Sequence, residues 1–135
     1  MLKKTIDFIF CCMLLTILSC SKSVKPANTF ARQLIIDNAR QSFGKINKKD
    51  IETIKLYFPL RNIGEKPIVI NRVDVSCGCI TTELSSKTIM PNKSQTLIVT
   101  IDAKNKNGVF NKSLFVRSTA INNLEIIRIK GEIQE

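Results

Sequence analysis

Cys77 and Cys79 are separated by one glycine, and two thiols this close in the chain can bond to each other or bind a metal ion together. The first possibility is a local disulfide, because Cα atoms two residues apart can approach about 5.5–6 Å when the chain kinks, and Gly78 permits the kink. Such a bond is a structural link or, since a strained ring is easily reduced, a redox handle. The second possibility is capture of a soft metal ion by two thiolates, and the third is packing of small apolar side chains. We place the structural disulfide and packing first, the redox-labile disulfide second and the metal third.

The composition removes most other site chemistry. The chain has 135 residues and no His, which excludes Ser-His and Cys-His nucleophilic pairs and the His-containing zinc and haem sites. A reactive thiol needs a helix N-terminus or a nearby cation to lower its pKa, and the sequence shows no helix start beside Cys77. We therefore predict a protein that is not an enzyme and carries no cofactor, with thiol–disulfide activity of the pair left open.

The first twenty residues predict an export signal with a lipidation site. A basic start precedes an apolar run of 11 residues, 8–18, which is short of the ~20 residues that span a bilayer and typical of a signal peptide. The run ends in Ile17-Leu18-Ser19-Cys20, which resembles the lipobox of bacterial lipoproteins. The resemblance implies that residues 1–19 are removed and that Cys20 is acylated, with palmitate among the chains. Two or more acyl chains make a stable membrane anchor, whereas one does not.

A polar segment without hydrophobic period follows Cys20, and residues 20–29 are predicted to be the lipidated cysteine and a flexible tether. Nine residues reach at most about 30 Å, so the folded part would stay close to the lipid surface. The acidic cluster usual in surface-exported lipoproteins of the Bacteroidetes type is missing from this tether. We therefore expect a lipoprotein of the cell envelope that faces the periplasm.

The charge of the chain favours a lipid surface over nucleic acid as its neighbour. Loss of Lys3, Lys4 and Asp7 with the signal leaves 19 basic and 10 acidic side chains, a net charge of +9. Lys48-Lys49 is the only adjacent basic pair after the signal, and no aromatic residues alternate with the cations to stack on bases. Scattered basic residues beside anionic lipid are each attracted by about 1 kcal/mol. We predict no nucleic acid and no small-molecule substrate.

The rest of the chain has the period of two that is typical of β-strands. Residues 30–42 fit either a helix or a strand, and we favour an early edge strand. About seven strands at roughly 8–12-residue spacing predict an all-β fold, an antiparallel Ig-like β-sandwich over residues 30–135, after an N-terminal signal helix. Three of the predicted strands are the ranges Ile68–Val75, Ile80–Leu84 and Leu124–Ile133. In three others the alternation identifies the inward residues, which are Ile54, Leu56, Phe58 and Leu60 in one, Leu97, Val99 and Ile101 in the next, and Leu114 and Val116 in the last.

The chain also resembles a bacterial family known as domain of unknown function 1573, common in lipoproteins of the Bacteroidetes. The resemblance covers roughly residues 43–133 and implies an Ig-like fold, similar to the Hydin-type domains that serve as binding modules. Two positions depart from the family pattern, Ile80 where Thr usually follows the second Cys, and Asn92 where Gly often follows Pro. The motifs that carry the resemblance are Ser42-Phe43-Gly44-Lys45-Ile46, Phe58-Pro59-Leu60-Arg61-Asn62-Ile63-Gly64, Pro67-Ile68-Val69-Ile70, Ser76-Cys77-Gly78-Cys79, Pro91 and Gly108-Val109-Phe110.

Two functional hypotheses follow. The first is a lipid-anchored, non-enzymatic Ig-like module that binds or scaffolds another envelope protein, because exposed strand edges can pair with a partner strand. The second is a redox-active or soft-metal-handling protein that uses Cys77 and Cys79. In both, Cys20 attaches the protein to the membrane.

Overall fold

Two β-sheets packed face to face make up the part of the chain that the computed structural model describes, residues 32–135. The predicted signal peptide, signal helix and tether, including Cys20, lie outside the described residues. Within residues 32–135 there are nine strands and no helix. The strands are β1 Leu34–Ile36, β2 Arg40–Asn47, β3 Thr53–Asn62, β4 Ile68–Val75, β5 Ile80–Leu84, β6 Thr88–Ile89, β7 Ser94–Asp102, β8 Gly108–Ser118 and β9 Leu124–Gln134.

The four-stranded sheet has the order β1-β3-β7-β5, and all its pairings are antiparallel. Its strands form because apolar side chains recur at every second position, so one face of each strand is buried. Phe58 and Leu60 of β3 and Val99 and Ile101 of β7 are fully buried, as the alternation predicts. The predicted early edge strand is confirmed, since β1 lies at the edge beside β3.

The five-stranded sheet has the order β2-β9-β8-β4-β6. The predicted antiparallel architecture holds for every pairing in the described sheets except one, because β2 pairs with β9 in parallel. A tight turn forces antiparallel pairing only on strands that it joins, and β2 and β9 come from opposite ends of the domain. The structure has nine strands where about seven are predicted. Residues 30–42 were expected to form one strand but contain β1 and the start of β2, and the two-residue β6 is too short to show a period.

A bulge in β2 lies beside a glycine in β9, and an aromatic ring of the bulge packs over that glycine. The register between these strands shifts between Ser42 and Lys45. Within the shift Gly44 has a φ of 73°, a backbone conformation that residues other than glycine rarely adopt. The shift places the Phe43 ring over Gly131, where a Cβ atom would lie 2.2 Å from the ring. The same ring contacts Phe110 with 5.6 Å between ring centroids. The glycine therefore makes room for the aromatic pair that closes this end of the core.

A fully buried amide at Asn62, 1% exposed, ties the end of β3 to two neighbouring segments. Its Nδ2 donates hydrogen bonds of 2.9 Å to the backbone carbonyls of Lys66 and Ile89, and its Oδ1 accepts one of 2.9 Å from the backbone N–H of Gly64. These bonds fix the turn before β4 and hold β6 against it. The turn at Asn62-Ile63-Gly64, the end of one motif of the family resemblance, thus depends on the hydrogen bonds of Asn62.

Candidate functional site

The disulfide between Cys77 and Cys79 lies where the chain crosses from one sheet to the other. The two Cα atoms are 5.2 Å apart, and both cysteines pack half-buried against the core. Because β4 ends at Val75, the pair lies in the crossover to β5 and does not extend the inward face of β4. The disulfide and the packing predicted for these residues therefore occur together.

Backbone hydrogen bonds hold the crossover on both sides of the disulfide. The N–H of Ile80 donates to the carbonyl of Cys77 at 3.1 Å, and the N–H of Asp102 donates to the carbonyl of Cys79 at 2.9 Å. The N–H of Cys79 also lies 3.2 Å from Sγ of Cys77. The first bond closes the turn and the second joins it to β7, so the crossover fixes where β5 begins.

An open cleft of about 470 Å³ separates β4 from β5 on the same side of the sandwich. Its floor includes the buried side chains of Ile70 and Leu97, its walls include the half-buried Val73, Thr82 and Leu84, and the other lining residues are exposed. Both apolar and polar side chains are therefore available to a ligand. The residues that line the cleft are Ile70, Asn71, Arg72, Val73, Thr82, Glu83, Leu84, Lys87 and Leu97.

The edge of β5 that faces the cleft carries no partner strand in the described sheets. Antiparallel neighbours alternate between hydrogen-bonded and non-hydrogen-bonded pairs. Since Cys79 is bonded to Asp102, the backbone groups of Thr81 and Glu83 point toward β7, and those of Thr82 and Leu84 point away from it. β5 can therefore accept another extended strand at Thr82 and Leu84 without losing its existing pairing.

The facing edge of β4 is covered over only part of its length. β6 pairs with Ile68 and Val69 alone, and the N–H of Ile70 donates to the carbonyl of Lys87 at 2.7 Å. A bulge at Asn71 then shifts the register of β4 against β8. From this bulge onward β4 and β5 face each other across the cleft as two free edges of different sheets.

The charges at the rim of the cleft are mixed. Arg72 and Arg117 both contact Asp74, with N–O distances of 3.2 and 2.9 Å. Lys87, whose carbonyl accepts a hydrogen bond from the backbone of β4, is exposed on the same side, and Glu83 of β5 is exposed on the opposite wall. Arg72 and Lys87 place two cations on the β4 side of the cleft against the single carboxylate of Asp74, so this side keeps an excess of positive charge.

Sequence reasoning identified the cysteines but missed the cleft. The free edges come from the order of the strands, which no residue pattern in the sequence indicates. Among residues 32–135, no three His, Cys, Asp or Glu side chains are grouped closely enough to hold a metal ion. No helix in this part of the chain has the length and apolarity to span a bilayer.

Solved structures of similar fold include proteins from a bacterium, from human and from a nematode. A protein of unknown function from Porphyromonas gingivalis W83 is 21% identical, with a TM-score of 0.66 over 81% of this chain and 51% of that one. The ASH/PapD-like domain 7 of human CEP192 is 14% identical, with a TM-score of 0.65 over 87% of this chain and 97% of that one. WR4, a C. elegans MSP family member, is 5% identical, with a TM-score of 0.53 over 74% of this chain and 96% of that one. At these identities the likeness shows the fold alone.

The chain therefore spans about half, 51%, of the Porphyromonas gingivalis protein. No curated protein matches the sequence. The family profile described as protein of unknown function (DUF1573) matches residues 34–133, which are nearly all of the two-sheet domain. The match confirms the resemblance seen in the motifs, and this chain belongs to the DUF1573 family.

Proposed function

We propose that this protein is a binding module that takes an extended segment of another envelope protein into the cleft between β4 and β5. The free edge of β5 at Thr82 and Leu84 is the observation that carries the proposal. An added strand gains main-chain hydrogen bonds from such an edge, and pockets beside the edge select its alternate side chains. The module would be attached to the membrane through Cys20.

The cleft specifies the chemistry of the segment. One side of an added strand would face the half-buried Val73 and Leu84 and the buried Leu97, so alternate residues of the ligand should be apolar. The other side would face solvent. The net positive charge on the β4 side of the cleft, from Arg72 and Lys87 against Asp74, favours a ligand with acidic residues. The expected ligand is an extended peptide with apolar residues at every second position and a net negative charge.

A rigid edge supports this use of the cleft. The disulfide and its flanking hydrogen bonds fix the start of β5, while β7 holds the rest of the strand through the pairs Ile80–Ile101 to Leu84–Leu97. A preformed edge orders little of its own chain when the ligand binds, which lowers the entropic cost of association.

The test uses a library of random peptides displayed on phage and a proline substitution at Thr82. Because the N–H of Thr82 points away from β7, Thr82→Pro removes a donor from the free edge and leaves the β7 ladder intact. Selected peptides should bind the parent protein and the control variant Thr82→Val, and should bind Thr82→Pro at least tenfold more weakly by fluorescence anisotropy. Equal affinity for both variants, or selection of no peptide, would overturn the proposal.

A redox role of the cysteine pair is the second candidate. Both cysteines are half-buried, so the disulfide is partly accessible to a small reductant, and the three-residue ring that it closes adds little to global stability. Thiol trapping of the folded protein across glutathione buffers tests this role. A reversible change between oxidised and reduced forms within the range of the buffers supports it, and a bond that stays oxidised until the protein unfolds refutes it.

The anchor is tested by the intact mass of the protein extracted from its native membrane. We expect a chain that begins at Cys20, carries the added mass of its acyl chains and lacks two hydrogens at the cysteine pair. A chain that still begins at Met1 would refute the anchor and leave the proposal for the cleft unaffected.

A further inference from the structure

The outer face of the five-stranded sheet carries cations and exposed apolar side chains side by side. Arg40 of β2 lies opposite Arg128 of β9, and the next outward pair on these strands is Ser42 with Lys130. All four side chains are exposed. Since neighbouring strands are about 4.8 Å apart, three positive charges are concentrated in one region. This cluster borders a shallow pocket lined by Arg40, Gln41, Ser42, Arg128 and Lys130.

The charges of this cluster are not neutralised within the described domain. Arg40, Arg128 and Lys130 form no ion pair with any carboxylate among residues 32–135. The nearby carboxylate of Glu132 is bound to Lys45 at 2.9 Å. The cluster therefore presents free positive charge to an anionic partner.

Apolar side chains continue the same face along β9. Leu124 and Ile126 are each 39% exposed, and they alternate with buried residues in step with Arg128 and Lys130. Ile126 pairs across the sheet with the half-buried Phe115 of β8. Cations beside exposed aliphatic and aromatic side chains are typical of surfaces that lie at the headgroup level of a membrane.

The chain enters the described domain at this end of β9. The N–H of Ile121, in the loop before β9, donates to the carbonyl of Arg32 at 2.8 Å. The side chain of Asn122 is hydrogen-bonded to both the N–H and the carbonyl of Leu34. The predicted tether would therefore leave the domain beside the exposed Ile121 and Leu124, and an anchor at Cys20 would bring lipid to this end of the face.

We propose that this face, formed by Arg40, Phe115, Leu124, Ile126, Arg128 and Lys130, docks on an anionic phospholipid bilayer. The cations bind lipid phosphates, and the aliphatic side chains enter the headgroup region. A nucleic acid would use the cations alone and would leave Leu124 and Ile126 in water. The face lies on the outer side of the five-stranded sheet and adjoins the rim of the cleft where Phe115 pairs with Asp74 of β4. Its three cations lie on β2 and β9, which β8 separates from β4, so they can be replaced without changing a residue that lines the cleft.

The experiment uses the absence of Trp from the sequence, which makes a single introduced Trp a selective probe. The full chain carrying Ile126→Trp is reconstituted into phosphatidylcholine vesicles that contain phosphatidylglycerol and dibrominated phosphatidylcholine, a short-range quencher. The matched control is Tyr57→Trp, because Tyr57 is 54% exposed on the outer side of the other sheet. We expect quenching and a blue shift for the Trp at position 126 and neither for the Trp at position 57.

The dependence of quenching on charge distinguishes docking of this face from mere closeness of the anchored domain to the bilayer. Each cation near an anionic bilayer raises the ratio of docked to free domain about fivefold. Replacing Arg40, Arg128 and Lys130 by Gln should therefore lower that ratio on the order of 100-fold. In 1 M salt, where screening acts over about 3 Å, quenching should also be lost. Far-UV circular dichroism checks that each variant is folded.

Four outcomes of the vesicle experiment would overturn the proposal, and a competition experiment supplies a fifth. They are an unquenched Trp at position 126, equal quenching of both Trp positions, equal quenching in vesicles without phosphatidylglycerol, and retained quenching in the triple Gln variant. Release of the domain by millimolar glycerol phosphate would also contradict it, because a free phosphate compound would then be the ligand. Quenching at position 126 alone that depends on phosphatidylglycerol and on the three cations supports it.

Discussion

Replacing Asn62 tests whether one buried amide holds the turn before β4 and the short strand β6 together. Asn62→Ala removes three hydrogen bonds of 2.9 Å each from a position that is 1% exposed. Each bond contributes about 0.5–1.5 kcal/mol, and buried groups left without partners add a desolvation cost. We expect the free energy of unfolding to fall by about 3–4 kcal/mol, which is roughly 12–30 °C in Tm for a domain of this size.

A comparison with Asn62→Asp separates the hydrogen bonds from the volume of the side chain. In Asn62→Asp an ionised carboxylate still accepts a hydrogen bond from the N–H of Gly64, but it is repelled by the carbonyl oxygens of Lys66 and Ile89. This repulsion and burial both disfavour the ionised form, so the pKa of the introduced Asp is raised. A group whose folded pKa is raised contributes stability at low pH and loses it as the pH rises. The variant should therefore be less stable at pH 7 than at pH 4, relative to the parent protein at each pH.

Urea denaturation followed by far-UV circular dichroism measures both variants, and Asn105→Ala in an exposed loop is the control. We expect the control to lie within about 0.5 kcal/mol of the parent protein, as surface substitutions usually do. A loss below about 1 kcal/mol in Asn62→Ala, or no extra pH dependence in Asn62→Asp, would refute the role assigned to Asn62.

Three further predictions concern the packing, the disulfide and one carboxylate. Gly131→Ala should destabilise the domain by about 1–3 kcal/mol in urea denaturation, because its Cβ would overlap the Phe43 ring, and a smaller cost in a Phe43→Ala background would identify that overlap as the cause. Joint replacement of Cys77 and Cys79 by Ala should lower the free energy of unfolding by about 1–3 kcal/mol, mostly through lost packing, and a larger loss would show that the link is essential to the fold. Hydrogen bonds from the side chains of residues 134 and 45 lower the pKa of Glu132, so its NMR titration should have a midpoint below the ordinary Glu value. The stability from this carboxylate should be present above the ordinary pKa and be lost as the pH falls through the lowered one. An ordinary midpoint would contradict these contacts.

Most strands could be predicted from the sequence because burial of one face leaves a period of two. β3 and β7 show this clearly, with Phe58, Leu60, Val99 and Ile101 all inward. The Cys-Gly-Cys pairing was also among the expected outcomes, since its geometry depends on only three consecutive residues. The short β6 was missed because two residues are too few to show a period, and the start of β2 was missed because its outward side chains are polar and its bulge interrupts the alternation.

Local patterns of residues specify which side chains face inward, where the chain turns and which two cysteines can join, since these depend on neighbours along the chain. They leave open which strands pair, and therefore which edges stay free. Only the folded domain shows that β2 lies parallel to β9, that β5 has an open edge, and that Arg40 lies beside Arg128 and Lys130 on one face. Strand order is set by the total burial of apolar surface across the two sheets, a sum over distant segments that no local pattern records.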